Sequence, residues 1–257
     1  MLALNYKTYG DSKNPNLIIL HGFLGSADNW HTLSKQFSEH FCVWTVDQRN
    51  HGRSPHAYEF NYDVLVDDLY EFIDYHKIEQ PVLLGHSMGG KVVMQFAMYY
   101  PNLVNRLIVA DMAPYAYSHH HQTVLEALQN VHPGDYTKRE AVDEALSQYI
   151  PEWDTRQFIM KSLYYENGKY QWRFYLESLL DNYEQILKPV IIKGKTFEKP
   201  TCFIKGEKSQ YISEERWTEI LDNFPNATLK VIKDAGHWVH AEKPNEFYLA
   251  VMECLKK

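Results

Sequence analysis

The chain has 257 residues, 45% of them hydrophobic, and a formal net charge of −7. That length holds one large domain or a core with an insertion, and the composition supports a substantial buried core. An acidic balance with no long basic run excludes nucleic acid or an anionic membrane as the main partner, and no stretch of apolar residues is long enough to span a bilayer.

The N-terminus, Met1-Leu2-Ala3-Leu4-Asn5-Tyr6-Lys7, shows no basic segment leading into a long apolar run, so a cytoplasmic protein is expected. The first apolar run, Leu17 to Leu20, leads into His21-Gly22-Phe23-Leu24-Gly25. A second, Val43 to Val46, precedes Asp47-Gln48-Arg49-Asn50-His51-Gly52-Arg53-Ser54. Leu65, Leu69, Phe72, Ile73 and His76 then share one face of a helix starting near Asn61. Val82 to Leu84 runs into Gly85-His86-Ser87-Met88-Gly89, and Leu107 to Ala110 runs into Asp111-Met112-Ala113-Pro114. Short apolar runs separated by helical patterns suit strands buried on both faces, which predicts an α/β protein with a mostly parallel sheet flanked by helices.

From Pro114 to about Thr196 the strand signal is absent. Four helical stretches are expected instead: Thr123 to Val131, Arg139 to Tyr149, Thr155 to Tyr164 and Trp172 to Leu187. These are too many residues for a crossover, and they read as a helical cap, residues 114–195, over the sheet edge where ligands bind. The core is then residues 1–113 and 196–257. Its second part carries the runs Cys202 to Ile204 and Leu229 to Ile232 and a last helix after Pro244. Cys42, Cys202 and Cys254 lie in apolar segments without metal-ligand spacing and are expected to be buried free thiols. His119-His120-His121 is read as a solvated start to the cap rather than a metal site, because consecutive helical residues point in different directions.

Gly-x-Ser-x-Gly between a strand and a helix is the arrangement that presents a serine hydroxyl sharply enough to act as a nucleophile. Ser87 is therefore the candidate nucleophile. A base must take its proton, and His237, in Asp234-Ala235-Gly236-His237-Trp238 after the last strand, is the first choice over His86 and His240. The acid that orients the base should follow a strand between the two. Asp111 is favoured, with Glu207 as the alternative. Backbone N–H groups of Met88 and Phe23 are the expected oxyanion donors, Leu24 being the reserve. No metal or organic cofactor is required by this set, and the expected ligand is a small molecule.

Together the four motifs, at His21–Ser26, at Asp47–Ser54, at Gly85–Gly90 and at Ala235–His240, resemble the α/β-hydrolase superfamily, in the order that fold requires and over nearly the whole chain. The likeness is greatest to the bacterial YbfF-type acyl esterases. Many α/β-hydrolases carry the acid as Gly-x-x-Asp after the seventh strand, whereas this chain has Gly206-Glu207-Lys208-Ser209. In the YbfF-type enzymes serine stands there and the acid has moved to the sixth strand's end, which matches Asp111. The resemblance implies that Ser209 lies near the triad, that Arg49 to Arg53 brace the sheet edge, and that the substrates are esters of short to medium acyl chains, with acyl-CoA thioesters as a second class. The same scaffold also serves cofactor-independent oxygenases, haloperoxidases, C–C bond hydrolases and ligand sensors.

Overall fold

In the computed structural model, which describes residues 2–118 and 121–256, each of the six apolar runs is a strand of one sheet. In chain order the first half consists of β1 (Tyr6–Tyr9), β2 (Asn16–Leu20), α1 (His31–Phe37), β3 (Cys42–Val46), α2 (Tyr62–Tyr75), β4 (Val82–His86), α3 (Met88–Tyr99) and β5 (Arg106–Ala110). Then come α4 (Gln122–Asn130), α5 (Arg139–Ser147), α6 (Trp153–Met160), β6 (Leu163–Glu166), β7 (Lys169–Trp172), α7 (Leu176–Asp181) and α8 (Tyr183–Leu187). The chain returns to the sheet with β8 (Thr201–Gly206), α9 (Trp217–Asn223), β9 (Ala227–Ile232), α10 (Val239–Glu242) and α11 (Pro244–Lys256).

The sheet order is β1-β3-β2-β4-β5-β8-β9, parallel except for β1, which pairs antiparallel with β3 at the edge. Side chains alternate between faces along each strand. Ile18, Leu83, Leu107, Val109 and Phe203 pack under α2 and α3, while Leu17, Ile19, Leu84, Ile108 and Ile204 pack with α1 and α11 on the other face. Burial on both faces is why these strands read as continuous apolar runs. β1 escaped that pattern because its residues alternate between exposed and half-buried. Asn61 starts α2 by accepting the Val64 N–H at 3.0 Å, which satisfies a donor the helix itself leaves open.

Two expectations need correction. The segment between β5 and β8 is not wholly helical: β6 and β7 form a two-stranded antiparallel hairpin where helices were expected over Thr155 to Tyr164 and from Trp172 onward. Asn167 (φ 51°) and Gly168 (φ 82°) make its turn. Both central residues at positive φ are what an Asn-Gly hairpin supplies, and aromatic residues on the flanking strands pair across it. The thiols are also not all free. Cys202 of β8 and Cys254 of α11 form a disulfide, and only Cys42 is free and buried. Packing of α11 against β8 brings the two Cα atoms to 6.1 Å, within the span a disulfide bridges. Their spacing of 52 residues gave no hint of this. Among the described residues no helix is long and apolar enough to cross a membrane.

Candidate active site

The strand register carries the chemistry to one point. β4 and β5 pair Gly85 with Val109 and His86 with Ala110, so the residues just past their ends are neighbours. Ser87 N–H donates to Ala110 O at 3.1 Å, and Asp111 N–H donates to Ile204 O at 2.8 Å. Both residues turn the chain sharply, with φ of 53° at Ser87 and 49° at Asp111. Such a conformation costs about 1–3 kcal/mol and persists only where the surroundings enforce it. Glycine is required on both sides of Ser87. A Cβ on Gly85 would lie 2.2 Å from Gly89 O, and one on Gly89 would lie 2.6 Å from the Leu20 and His21 carbonyl oxygens.

His237 lies between the two. Its Nδ1 is 2.7 Å from Asp111 Oδ2 and its Nε2 is 3.0 Å from Ser87 Oγ. A carboxylate only accepts, so Nδ1 carries the proton and Nε2 is free to accept from the serine hydroxyl. Asp111 is fully buried and also accepts from Gly206 N–H at 3.0 Å and from the Ser209 hydroxyl. Burial pushes its carboxyl up to about 6, while Ser209 and Gly206 pull it back by favouring the charged form. The alternative acid, Glu207, instead accepts the Asp234 N–H at 2.9 Å.

The two other candidate histidines hold the frame. His86 Nε2 donates to His237 O at 2.9 Å. Its imidazole is lowered to about 3, chiefly by burial and then by the neighbouring His237. His240 is buried and stacks on Trp30 at 4.3 Å between ring centroids, with burial also lowering its pKa.

Opposite the histidine is a backbone pocket. Gly22 brings the first loop so close that an added Cβ would be 3.0 Å from the Ser87 Cβ. Leu24, the reserve donor, gives its N–H to His51 Nε2 at 3.1 Å. Among the described residues, the N–H groups of Phe23 and Met88 have no acceptor. His51 Nδ1 donates to Arg49 O at 2.9 Å, and His21 is held likewise by Gly22 O at 2.8 Å and Gln48 N–H at 3.0 Å. Each is thereby kept neutral, and burial, reinforced by His21, lowers His51 to about 3. Arg49 is engaged by buried Asp68 at 2.5 Å, and Asn50 by Ala57 O at 2.8 Å and Ser178 Oγ at 2.9 Å. Of the histidine triple, His119 and His120 lie outside the described residues, and His121 meets the Tyr183 hydroxyl at 3.0 Å.

Several contributors had no sequence signal. Tyr211 stacks on the His237 ring, centroids 3.9 Å apart. Glu242 grips the loop on both sides of His237, accepting from Gly236 N–H at 2.7 Å and Trp238 N–H at 3.2 Å. Lys91, buried in α3, donates to Lys188 O at 2.6 Å just past α8. Ser87 opens onto a cavity of about 500 Å³ lined by Phe23, His237 and Trp238 from the core and by Val124, Ile150 and Phe158 from between β5 and β8. That volume is in the range of small-molecule sites.

Comparison with known proteins agrees with this architecture. The family described as "alpha/beta hydrolase fold" matches residues 15–148. The sn-1-specific diacylglycerol lipase ABHD11 of Danio rerio is 38% identical over 98% of this chain and 82% of its own length. Esterase YbfF of Escherichia coli is 34% identical over 94% of this chain and 93% of its own. A solved marine microorganism esterase is 37% identical, superposes with a TM-score of 0.95 and covers 98% of this chain and 99% of its own.

Proposed function

The chain belongs to the α/β-hydrolase family, alongside YbfF-type esterases, and is a carboxylic ester hydrolase; from that premise we propose that it works through an acyl-enzyme on Ser87. The observation that carries the reading is the unbroken chain Ser87 Oγ–His237–Asp111, at 3.0 and 2.7 Å. His237 Nε2 takes the hydroxyl proton as Oγ attacks the ester carbonyl. Asp111 holds the Nδ1–H tautomer and stabilises the imidazolium. The tetrahedral oxyanion sits against the N–H groups of Met88 and Phe23, each donor being worth about 3 kcal/mol in such sites. His237 then protonates the departing alkoxide, and a water, deprotonated by the same nitrogen, releases the acid and restores Ser87.

Ser209 is a positioning residue in this reading, since it touches Asp111 and not the reacting atoms. Residues 114–195 act as a cap whose side chains complete the substrate cavity. The proposed substrates are small esters with short to medium acyl chains, and acyl-CoA thioesters belong to the same class because the acyl transfer is identical.

Hydrolysis of a p-nitrophenyl acyl series by the wild type and by Ser87→Ala, with fluorophosphonate labelling, tests the reading. Turnover and a label at Ser87, both lost in the variant, are expected. An active S87A enzyme, or a wild type that neither turns over nor labels, overturns it.

A further inference from the structure

Two cavities of very unequal size meet at Ser87. The large one, about 500 Å³, is lined by His86, His237 and Trp238. The small one, about 30 Å³, is lined by Tyr62, Met88, Met112, Tyr117, Ile186 and Leu187. They share Phe23, Ser87, His121 and Tyr211. His237 faces only the large cavity, and Met88, the oxyanion donor, only the small one.

A bound ester has to orient itself across this asymmetry. The oxygen that leaves must reach His237 Nε2 for its proton, while the carbonyl oxygen must reach the Met88 and Phe23 N–H groups. That directs the alcohol portion into the large cavity and the acyl chain into the small one. One water-sized group needs about 10–15 Å³, so the small cavity admits about two or three non-hydrogen atoms beyond the carbonyl carbon.

Its walls are held in place. The Tyr117 hydroxyl donates to Tyr211 O at 2.6 Å and accepts from Ala113 N–H at 2.9 Å. The Tyr62 hydroxyl donates to Ile186 O at 2.8 Å. Behind both rings lies Lys91 Nζ, 5.5 and 4.8 Å from their centroids, which also anchors the backbone after Leu187 by donating to Lys188 O. Met112, unbranched and buried, lines the same cavity and can be shortened without removing a hydrogen bond from its wall.

Resting on the Ser87 esterase reading, we propose that this enzyme selects esters of short acyl chains, acetyl to butyryl, with bulky apolar alcohols, and that Met112 and Leu187 set the acyl limit. Two series test it: p-nitrophenyl esters from acetyl to decanoyl, and acetate esters from ethyl to octyl and 1-naphthyl. For the wild type, kcat/KM is expected to fall at least tenfold between butyryl and octanoyl, and to rise along the alcohol series. Met112→Ala should raise the octanoyl-to-acetyl ratio about tenfold, and Leu187→Ala gives the same readout if the first variant does not fold. Thr155→Trp, which fills the large cavity, should depress bulky-alcohol acetates and leave the acyl-length ratio alone. A wild-type optimum at octanoyl or longer, or an acyl-length ratio that responds to T155W and not to M112A or L187A, overturns the assignment. Loss of all ester turnover together with loss of the fluorophosphonate label at Ser87 would instead refute the esterase reading beneath it.

Discussion

Acidification should destabilise this fold well before its surface carboxylates are all protonated, because the site is framed by buried neutral histidines. His51 and His86 are both lowered from 6.5 to about 3, chiefly by burial. Between those values the unfolded chain binds a proton at each residue that the folded protein refuses. Stability therefore rises with pH across the window and is lost as pH falls below 6.5, with a slope of about 1.4 kcal/mol per pH unit for each group. At about pH 4.5 the pair contributes a loss of about 5 kcal/mol. Asp111 acts in the opposite sense: its carboxyl is raised from 3.8 to about 6, so the folded state takes up its proton first and offsets about 2 kcal/mol. The net loss from these three groups, about 3 kcal/mol, is a large share of a typical stability of about 5–15 kcal/mol, and buried His21 and His240, lowered in the same direction, add to it. Urea unfolding midpoints from pH 7.5 to 4.5 measure it. His51→Gln keeps an acceptor for the Leu24 N–H and should remove that residue's own share of the slope, about 1.4 kcal/mol per pH unit. A wild-type midpoint that is flat over this range, or a His51→Gln slope equal to the wild type's, would refute the reasoning.

Other outcomes follow from the same geometry. Asp111→Asn should lower kcat by up to about 10⁴ while Glu207→Gln stays near normal, as steady-state kinetics would reveal; the reverse ranking would transfer the acid role to Glu207. Activity should fall as pH drops through about 6, where Asp111 gains its proton. Ser209→Ala removes a hydrogen bond that holds the carboxyl down, so the acid limb of kcat/KM should move to higher pH, and an unmoved limb would show that Ser209 does not position Asp111. Lys91 is lowered by burial from 10.5 to about 7, so the unfolded chain holds the extra proton between those values and wild-type stability should increase from pH 7.5 to 9.5. Lys91→Met should lose that increase in denaturant titrations, and an unchanged dependence would assign it elsewhere.

Much of the fold could be read from local pattern. The runs Leu17 to Leu20 and Val82 to Leu84 announced buried parallel strands because both of their faces are covered, and Asn61 and Pro244 marked helix starts through capping and ring geometry. The β6–β7 hairpin was legible in principle from Asn167-Gly168, but short aromatic strands resemble amphipathic helix segments when periodicity alone is weighed. Ser87 stood out because the glycines flanking it allow a turn that other residues do not, and His237 because it sits on the loop after the last core strand. Tyr211 and Lys91 did not, since each acts on groups far away in sequence and nothing in its own neighbourhood records the partner; Glu242 did not because its grip on Gly236 and Trp238, though local, depends on the irregular path of the loop between them, which periodicity does not encode.

By itself the sequence determined six strands of the core sheet and most of the helices between them, the glycine-flanked turn at Ser87 and a set of candidate residues for acyl-transfer chemistry. Those depend on local sterics and on the spacing of polar and apolar side chains. Tertiary structure decided that Asp111 rather than Glu207 accepts the His237 Nδ1–H hydrogen bond, that Leu24's N–H is consumed by His51 while Phe23's has no acceptor among the described residues, that Cys202 meets Cys254, and that Ser87 opens onto one large and one small cavity. Each of these is a distance between segments remote in the chain, set by sheet register and packing, which no local pattern encodes.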